Sequence, residues 1–317
     1  MPGSQRLLTA DCMGALVPPR TSGRVHSVFR RACNIETHAG ELVTLLAGDL
    51  GDQPHGIRCP SPGESWNARL RPGQRVALDG GVLRVEAAGL AVDLSRAGIW
   101  SGDLSAVGIE ACRLATALGE LQATLRGKAP EDGYAPLLFS RQDGHSPLVR
   151  ALGSRLAQAL PAAARAERAR DAAALAQALS KLVGLGCGLT PSGDDFIVGY
   201  LAALWSRAAR EAHLTALLRT LAEAVRELSR RTNAISRQLL VDAARGRFAQ
   251  RLVEVVHALA RGEDVAARVR RAVDSGHSSG ADTLCGLSFG LSPAPIGAAH
   301  SNTPARRADM PARFAVV

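Results

Sequence analysis

Residues 184–195 carry the densest set of side chains and glycines in the chain that could do chemistry. They read Gly-Leu-Gly-Cys-Gly-Leu-Thr-Pro-Ser-Gly-Asp-Asp and lead into a predicted helix. Alternating glycines let a backbone turn sharply and approach a ligand closely, and the first N–H groups of a helix lack partners within that helix. With two hydroxyl side chains nearby, this pattern predicts a cradle for an anion. The candidate binding residues are Gly186, Gly188, Thr190, Ser192 and Gly193.

Two adjacent acids, Asp194 and Asp195, complicate a simple anion site. A carboxylate beside a phosphate needs a metal ion between them, or it serves as a general base or a helix cap. An ordinary helix junction would explain a C-cap glycine, Ser192 as an N-cap and one first-turn acid. That interpretation leaves the other glycines and the second acid without a role, so a functional loop is favoured. The segment is not a Walker phosphate loop, because no Gly-Lys-Ser/Thr follows.

A second segment repeats this pattern nearer the C-terminus. Residues 192–199 and 279–286 both read Ser-Gly-x-Asp-x-x-x-Gly. Asp282 is therefore the counterpart of Asp195. A glycine inside a helix costs up to about 1 kcal/mol, so its presence in both copies indicates close packing. We hypothesise that the two helix starts meet around one ligand; chance similarity is the alternative, because Ser, Gly and Ala are abundant.

The remaining candidates are polar residues beside these two segments. His277 precedes the second helix start, and an imidazole can both accept and donate a proton, so it is a candidate for moving a proton, with a loop hydrogen bond as the alternative. Thr232 is the predicted N-cap of another helix, and Ser236 lies one turn later. The candidate catalytic residues are Asp194, Asp195, His277 and Asp282. Thr232, Ser236, Ser278, Ser279 and Gly280 complete the candidate binding residues.

Other residues capable of chemistry have weaker contexts. Cys187 has no histidine or acid at a telling spacing, so it is not expected to be a nucleophile. The contexts of four further histidines are typical of structural or solvated side chains. They are His26, His38, His55 and His145.

The formal charge of +9 comes almost entirely from arginine, since Lys128 and Lys181 are the only lysines. A polyanion-binding surface is one interpretation. Solvated arginines on helix faces are favoured instead, because the arginines are spread along the chain and no aromatic residues interleave with them to stack bases. Nucleic-acid binding is therefore not expected, whereas a small phosphate or carboxylate remains compatible with the charge.

The cysteines and the hydropathy indicate a cytoplasmic location. The six cysteines form no C-x-x-C pair, which argues against a zinc ribbon and suits free thiols in a reducing compartment. The N-terminus lacks the apolar stretch of a secretory signal. No run of about 18 apolar residues occurs, so no membrane-spanning segment is expected.

The elements that must position these residues change character near residue 103. We predict an α+β fold: a β-rich part that forms a small barrel or sandwich-like sheet, followed by a mainly helical part. A hairpin is predicted over residues 75–85, turning at Asp79-Gly80-Gly81. The predicted divisions are an extension at 1–22, the β-rich domain at 23–103, the helical domain at 104–291 and a disordered tail at 292–317. The predicted helices are 104–126, 148–160, 166–183, 193–210, 214–230, 232–244, 247–261, 265–273 and 280–290.

The glycine-rich segment, read on through Phe196 and Gly199-Tyr200-Leu201-Ala202-Ala203-Leu204, resembles the signature of the AllH-like family. Residues 232–236 and 276–282 match later motifs of that family in order. Residues 23–29, Asn34 and 54–57 resemble its N-terminal part. The resemblance thus covers about residues 23–291. Cys187 stands where the family pattern has proline, which puts the rigidity of the loop in doubt.

The resemblance implies a subunit of an oxamate carbamoyltransferase in purine-ureide (allantoin) breakdown. The implied reaction converts oxalurate and phosphate to oxamate and carbamoyl phosphate, with FdrA-like (AllF-like) and AllG-like subunits as partners. No resident cofactor is certain, and a divalent metal such as magnesium is the candidate for the acids. Two alternatives stay open: a non-catalytic anion-binding or assembly subunit, and a carbamoyl or acyl transferase subunit for another substrate.

Overall fold

Residues 6–60, 65–139, 147–274 and 276–292 are described by a computed structural model. It contains the β-rich N-terminal part and the helical C-terminal part that the sequence predicts, so the α+β expectation is confirmed. Apart from Ser292, the predicted disordered tail lies outside the described residues. In the part of the chain that is described, no helix is both long enough and apolar enough to cross a membrane.

The strands of residues 6–100 form one curled sheet with the shape of a half-barrel. Its order is β1-β9-β8-β7-β3-β4-β5-β6-β2-β10, and Leu, Val, Ile and Cys side chains fill its own core. The strands are β1 (Arg6–Thr9), β2 (Cys12–Gly14), β3 (Thr21–Val28), β4 (Ala32–Thr37), β5 (Leu42–Ala47), β6 (Gly56–Cys59), β7 (Arg75–Asp79), β8 (Val82–Val85), β9 (Leu90–Asp93) and β10 (Gly98–Trp100).

The predicted hairpin is present as β7 and β8. The pair turns at Gly80 and Gly81, whose φ angles are 58° and 73°, and Asp79 faces Val82 in the register. Positive φ at both central residues gives the turn a twist that matches the strands, which is why glycine is favoured there.

The sheet also takes in two strands from the segment that the sequence set apart as an N-terminal extension. β1 pairs with β9, whereas β2 pairs with β6 and β10 at the far end of the strand order. Only Ala10 and Asp11 separate β1 from β2, so this short stretch brings the two ends of the sheet together. Strands of four and three residues are too short to show the alternation by which strands are recognised.

The helices of the remainder pack around a second core of Leu, Val, Ala and Phe side chains. They are α2 (Ala111–Lys128), α3 (Ala135–Phe139), α4 (Pro147–Arg168), α5 (Ala172–Leu179), α6 (Ser192–Ala208), α7 (Ala212–Leu228), α8 (Ala234–Ala244), α9 (Gln250–Arg261), α10 (Val265–Val273) and α11 (Ser279–Leu291). The half-barrel holds one short helix, α1 (Trp66–Arg69), and one-turn 3₁₀ helices lie at Glu86–Ala88 and Ser229–Arg231.

The predicted helices differ most from the structure at two places. The predicted helix 104–126 begins only at Ala111. The predicted helices 148–160 and 166–183 are instead a long α4, which continues through Pro161, and the separate short α5. Proline disfavours a helix interior, but the buried side chains of Leu156, Ala159 and Ala163 continue one apolar face across that position, and their burial outweighs the preference.

Candidate functional site

Helices α6 and α11 lie side by side and are equivalent in sequence and in contacts. A Cβ atom at Gly199 of α6 would collide with the carbonyl oxygen of Thr283 in α11. A Cβ atom at Gly286 of α11 would collide in the same way with the carbonyl oxygen of Phe196 in α6. The two glycines of the repeated motif therefore let the helix backbones touch, which is the close packing that the sequence indicated.

The starts of the two helices are also equivalent. Gly193 lies against the carbonyl oxygen of Leu182, and Gly280 lies against that of Ala272, each near the end of a preceding helical segment. The two motifs are thus brought together as the sequence hypothesis required. That they surround one ligand stays a prediction.

The glycine-rich loop before α6 has the left-handed backbone that its composition predicts. Gly184, Gly186 and Gly188 have φ angles of 71°, 122° and 98°. A Cβ atom at Gly186 would lie 2.6 Å from the Ser192 backbone nitrogen, so the loop folds tightly onto the helix start. Residues with side chains rarely adopt such angles, and the alternate glycines are required by the turn itself.

The first N–H groups of α6 are largely occupied. The Gly193 N–H donates to the carbonyl oxygen of Leu185 at 2.8 Å. The N–H groups of Asp194 and Asp195 donate to the carbonyl oxygen of Pro191 at 2.9 and 3.1 Å. An anion at this helix start would therefore depend on the loop and on the Ser192 hydroxyl more than on the helix N–H groups.

Asp194 fastens the glycine-rich loop to α8. Its carboxylate accepts the Gly184 N–H at 2.8 Å and the Thr232 hydroxyl at 2.5 Å. Burial raises the pKa of Asp194, and Thr232, Gly184 and Ser236 act in the opposite direction. The predicted N-cap was wrong: Asn233 caps α8 by accepting the N–H groups of Ile235 and Ser236, because the Thr232 hydroxyl is taken by Asp194.

Asp195 and Asp282 interact with each other's helix start. Asp195 of α6 is stabilised by Ser279 of α11, and Asp282 of α11 is stabilised by Ser192 of α6. Each carboxyl keeps one buried oxygen without a hydrogen-bond partner among the described residues. Burial raises the pKa of Asp195 well above its ordinary value and that of Asp282 to about 6. Both carboxyls therefore hold a proton more tightly than a solvated aspartate does.

The loop before α3 carries the remaining contact of Asp282. The Tyr134 N–H donates to Asp282 Oδ1 at 2.7 Å, and a Cβ atom at Gly133 would lie 2.6 Å from the same oxygen. The start of α11 is thus enclosed by residues that lie about half a chain length earlier in the sequence.

A cavity of about 740 Å³ opens between the half-barrel and the helix starts. The half-barrel contributes residues of β4, β5 and the loop before β6, while the helical part contributes the glycine-rich loop, α8 and the start of α11. The predicted site residues that line it are Gly188, Thr190, Ser192, His277, Ser278 and Ser279. Both sequence motifs and the N-terminal sheet therefore meet at one space of a size that suits a small molecule.

The residues that build the two sides of this cavity fall largely within two segments that match known family profiles. The profile of the AllH family N-terminal domain matches residues 5–99, and the profile described as oxamate carbamoyltransferase subunit AllH matches residues 182–291. Together they cover most of the chain. The chain belongs to the AllH family. No solved structure gives a significant match to it.

A smaller cavity of about 170 Å³ adjoins the larger one in this AllH-family chain. It is lined by Asp195, Ser279 and Gly280 together with Arg247 and Arg251. Asp242 and Ser279 line both cavities, so the two spaces meet beside these side chains.

The other predicted site residues lie behind the cavity walls or at the rim. Gly186, Gly193, Asp194, Thr232, Ser236 and Asp282 line neither of these two cavities. His277 lines the larger one, but its side chain is 79% exposed and pairs with Asp132 at 2.7 Å. Cys187 is exposed at the same rim. Their roles in catalysis or binding stay predictions.

Sequence analysis missed a buried polar pair that joins the two parts of the AllH-family chain. His55 Nδ1, in the loop before β6, lies 3.0 Å from the Asp242 carboxylate of α8. Gln238, one turn earlier in α8, donates from Nε2 to Asp242 Oδ1 at 3.0 Å and accepts the Leu42 N–H at 2.9 Å. Burial raises the pKa of Asp242, and His55 and Gln238 act against that rise. The His55 and Asp242 positions are 187 residues apart, and no local pattern connects them.

The predicted magnesium ion has no ready-made site in the described part of the chain. No group of three or more His, Cys, Asp or Glu side chains there is arranged to hold a metal ion. The unpartnered carboxyl oxygens of Asp195 and Asp282 are buried, but these two residues alone do not form such a group. Magnesium as a cofactor therefore stays a prediction.

Proposed function

We propose that this chain is the subunit of a cytoplasmic oxamate carbamoyltransferase that binds oxalurate and inorganic phosphate. The products are oxamate and carbamoyl phosphate, and FdrA-like and AllG-like subunits complete the complex. The observation that supports the proposal best is the pair of adjoining cavities at the repeated motif. One has room for a small ureido compound, and the other is small and bordered by two arginines.

Phosphate fits the chemistry of the smaller cavity. Arg251 supplies positive charge and keeps a buried Nε without a partner among the described residues, while Arg247 is paired with Asp103 at 3.0 Å. Ser279 supplies a hydroxyl group. Asp195 would repel phosphate as a carboxylate, but its raised pKa favours the protonated form, and a protonated carboxyl group donates a hydrogen bond. This accounts for an acid beside an anion without a metal ion between them.

Oxalurate fits the larger cavity, whose lining combines polar groups with leucine side chains such as Leu42 and Leu46. Thr190, Ser192 and Ser278 offer hydroxyl groups to the ureido moiety, and Arg31 lies near enough to the opening to pair with a carboxylate. Arg31 also pairs with Asp49, and its side chain is 40% exposed, so it could reorient toward a substrate. Holding both reactants where the cavities meet would place a phosphate oxygen against the ureido carbon, and positioning of this kind contributes much of the rate of such reactions.

The acids and His277 have distinct proposed roles. Asp194 and Thr232 hold the glycine-rich loop in shape. Asp282 and Asp195 keep the two helix starts in register, and the raised pKa of Asp195 favours a protonated group at the smaller cavity. His277, at the rim with Asp132, would contact the substrate as it enters the cavity or the product as it leaves.

The test is the formation of carbamoyl phosphate from oxalurate and phosphate by this chain, with and without the FdrA-like and AllG-like subunits. We expect activity from the full set. Asp195→Asn should lower it about 100-fold, since an amide N–H is a weaker hydrogen-bond donor than the O–H of a protonated carboxyl group. Asp264→Asn is the matched control, because Asp264 is exposed and asparagine tolerates its left-handed backbone. It should leave turnover unchanged.

The same experiment separates the alternatives. A non-catalytic anion-binding or assembly subunit predicts that Asp195→Asn leaves the turnover of the complex unchanged. No product from the full set with oxalurate would favour another carbamoyl or acyl substrate, for which thermal-shift screening of ureido compounds is the next measurement.

A further inference from the structure

His55 is a buried histidine in the lining of the larger cavity. The residue is 3% exposed and lines the cavity. Its Nε2 atom is buried and has no hydrogen-bond partner among the described residues. A buried nitrogen of this kind costs free energy unless something binds it, which makes it a candidate contact for a ligand.

Two side chains of α8 lie against Nδ1 of His55. The Gln238 carbonyl oxygen accepts the Leu42 N–H, so its NH₂ group lies 3.0 Å from Asp242 Oδ1 and 3.1 Å from His55 Nδ1. The Asp242 carboxyl group lies 3.0 Å from His55 Nδ1. An ionised Asp242 can only accept a hydrogen bond, and the imidazole tautomer that donates Nδ1–H to it has its lone pair on the unpartnered Nε2.

The position of this pair matches the place where the two reactants would meet. Asp242 lines both the larger and the smaller cavity, and His55 lines the larger one beside it. His277 lies instead at the exposed rim of the larger cavity. Of these two histidines, His55 is therefore the one held next to the junction of the cavities.

We infer that His55 is a catalytic residue, whose Nε2 takes the proton from hydrogen phosphate and passes it to the departing oxamate nitrogen. This inference rests on the proposed function. The phosphate oxygen forms a bond to the ureido carbon, and the bond from that carbon to the oxamate nitrogen breaks. The proton that hydrogen phosphate loses is the one the nitrogen gains, so the imidazole begins and ends neutral. Asp242 is the positioning residue, which holds the ring and stabilises the imidazolium that forms in between.

The test compares His55→Gln and Asp242→Asn with the wild-type chain in the full complex. We expect His55→Gln to lower kcat by about 10² to 10⁴, the range for loss of a general acid–base group, with KM for phosphate changed less than about threefold. Asp242→Asn should lower kcat by a smaller factor. His38→Gln is the matched control, because His38 is exposed on the half-barrel, where it bonds to Ser22. Its kcat should equal that of the wild type.

Each outcome decides between the inference and the proposed function. A His55→Gln complex with kcat within about threefold of the wild type overturns the role of His55 and leaves the proposed function standing. A wild-type complex that makes no carbamoyl phosphate overturns the proposed function, and the proton transfer with it. A parallel rise in KM and loss of thermal stability, with kcat retained, would assign the pair a structural role and overturn the inference.

A spectroscopic measurement on the wild-type chain keeps the inference testable if His55→Gln does not fold. With ¹⁵N-labelled histidine, two-bond ¹H–¹⁵N spectra show which ring nitrogen is protonated, and Asp242→Asn identifies the His55 signals by their shift. We expect an unprotonated Nε2 at neutral pH whose signal moves when oxalurate and phosphate are added together. A proton on Nε2 would remove the base and overturn the inference.

Discussion

Gly199 of α6 lies against the carbonyl oxygen of Thr283 in α11, so closely that the site has no room for a single methyl group. Gly286 makes the equivalent contact with Phe196 from the other helix. Both contacts lie one turn after an aspartate of the repeated motif. The distance between the two helix axes, and hence the placement of Asp195 and Asp282, is therefore set by these two glycines.

Gly199→Ala should destabilise the protein by more than about 3 kcal/mol, because a backbone carbonyl cannot move aside as a flexible side chain does. Gly286→Ala should have an effect of similar size. Denaturant unfolding of the isolated chain measures both. The matched control is Gly119→Ala in α2, since Gly119 is exposed and a Cβ atom there would contact nothing. That change should stabilise the helix by up to about 1 kcal/mol. Equal effects at positions 199 and 119 would show that the helices are not in contact as described.

The contribution of Asp282 to stability should depend on pH. Its pKa is about 6 in the folded chain against an ordinary 3.8, so the folded state binds the proton more tightly. The resulting stabilisation is fully present below the ordinary pKa and is lost as the pH rises through about 6. At 1.36 kcal/mol per pKa unit, the free energy of unfolding of the wild type relative to Asp282→Asn should fall by roughly 2 kcal/mol between pH 4 and pH 7.

Chemical unfolding at a series of pH values measures that difference. Taking it against Asp282→Asn cancels most of the other groups that titrate, and asparagine keeps the size of the side chain and an oxygen for the Tyr134 N–H. The difference in free energy of unfolding between the wild type and Asp264→Asn, a variant at an exposed site, should not change with pH. A constant difference for Asp282→Asn as well would contradict the buried environment described for this carboxyl.

Two cysteines should react with iodoacetamide in the folded protein. Cys112 and Cys187 are exposed, whereas Cys12, Cys33, Cys59 and Cys285 are buried. Burial also raises the pKa of Cys33 and Cys59 to about 12, which disfavours the reactive thiolate. Peptide mass mapping after limited labelling identifies the modified residues. Because Cys187 lines the larger cavity and Cys112 does not, oxalurate with phosphate should slow labelling of Cys187 alone. Equal slowing at both cysteines would place the ligand elsewhere.

Local signals in the sequence predicted most of the helical part. The α10 boundaries Val265–Val273 and the β7–β8 turn agree with the structure, because an amphipathic repeat and a glycine pair specify them within a few residues. The repeated Ser-Gly-x-Asp-x-x-x-Gly motif likewise predicted that α6 and α11 meet. The glycine inside each copy of the motif indicates by itself that the two helix backbones come close.

What the sequence did not predict depends on partners that lie far apart in the chain. The observed N-cap of α8 is Asn233 and not the predicted Thr232, because Asp194, 38 positions earlier, binds the Thr232 hydroxyl. His55 was interpreted as structural or solvated, since its partner Asp242 belongs to the other part of the molecule. Neither contact leaves a periodic or compositional trace, so only the packed structure brings them together.

Thr232→Val should loosen the glycine-rich loop. Valine keeps the shape of threonine but cannot donate to the buried Asp194 carboxylate, which then loses its 2.5 Å hydrogen bond. Loss of a hydrogen bond to a charged group costs about 1.5–3 kcal/mol, and the Gly184 amide, bound to the same carboxylate, should exchange its hydrogen faster. Denaturant unfolding and amide hydrogen exchange measure the two effects. Thr220→Val makes the same change at an exposed position of α7 and should alter stability by less than about 0.5 kcal/mol. If both variants lose the same stability, or if exchange at Gly184 is unchanged in Thr232→Val, Asp194 does not hold this loop through Thr232.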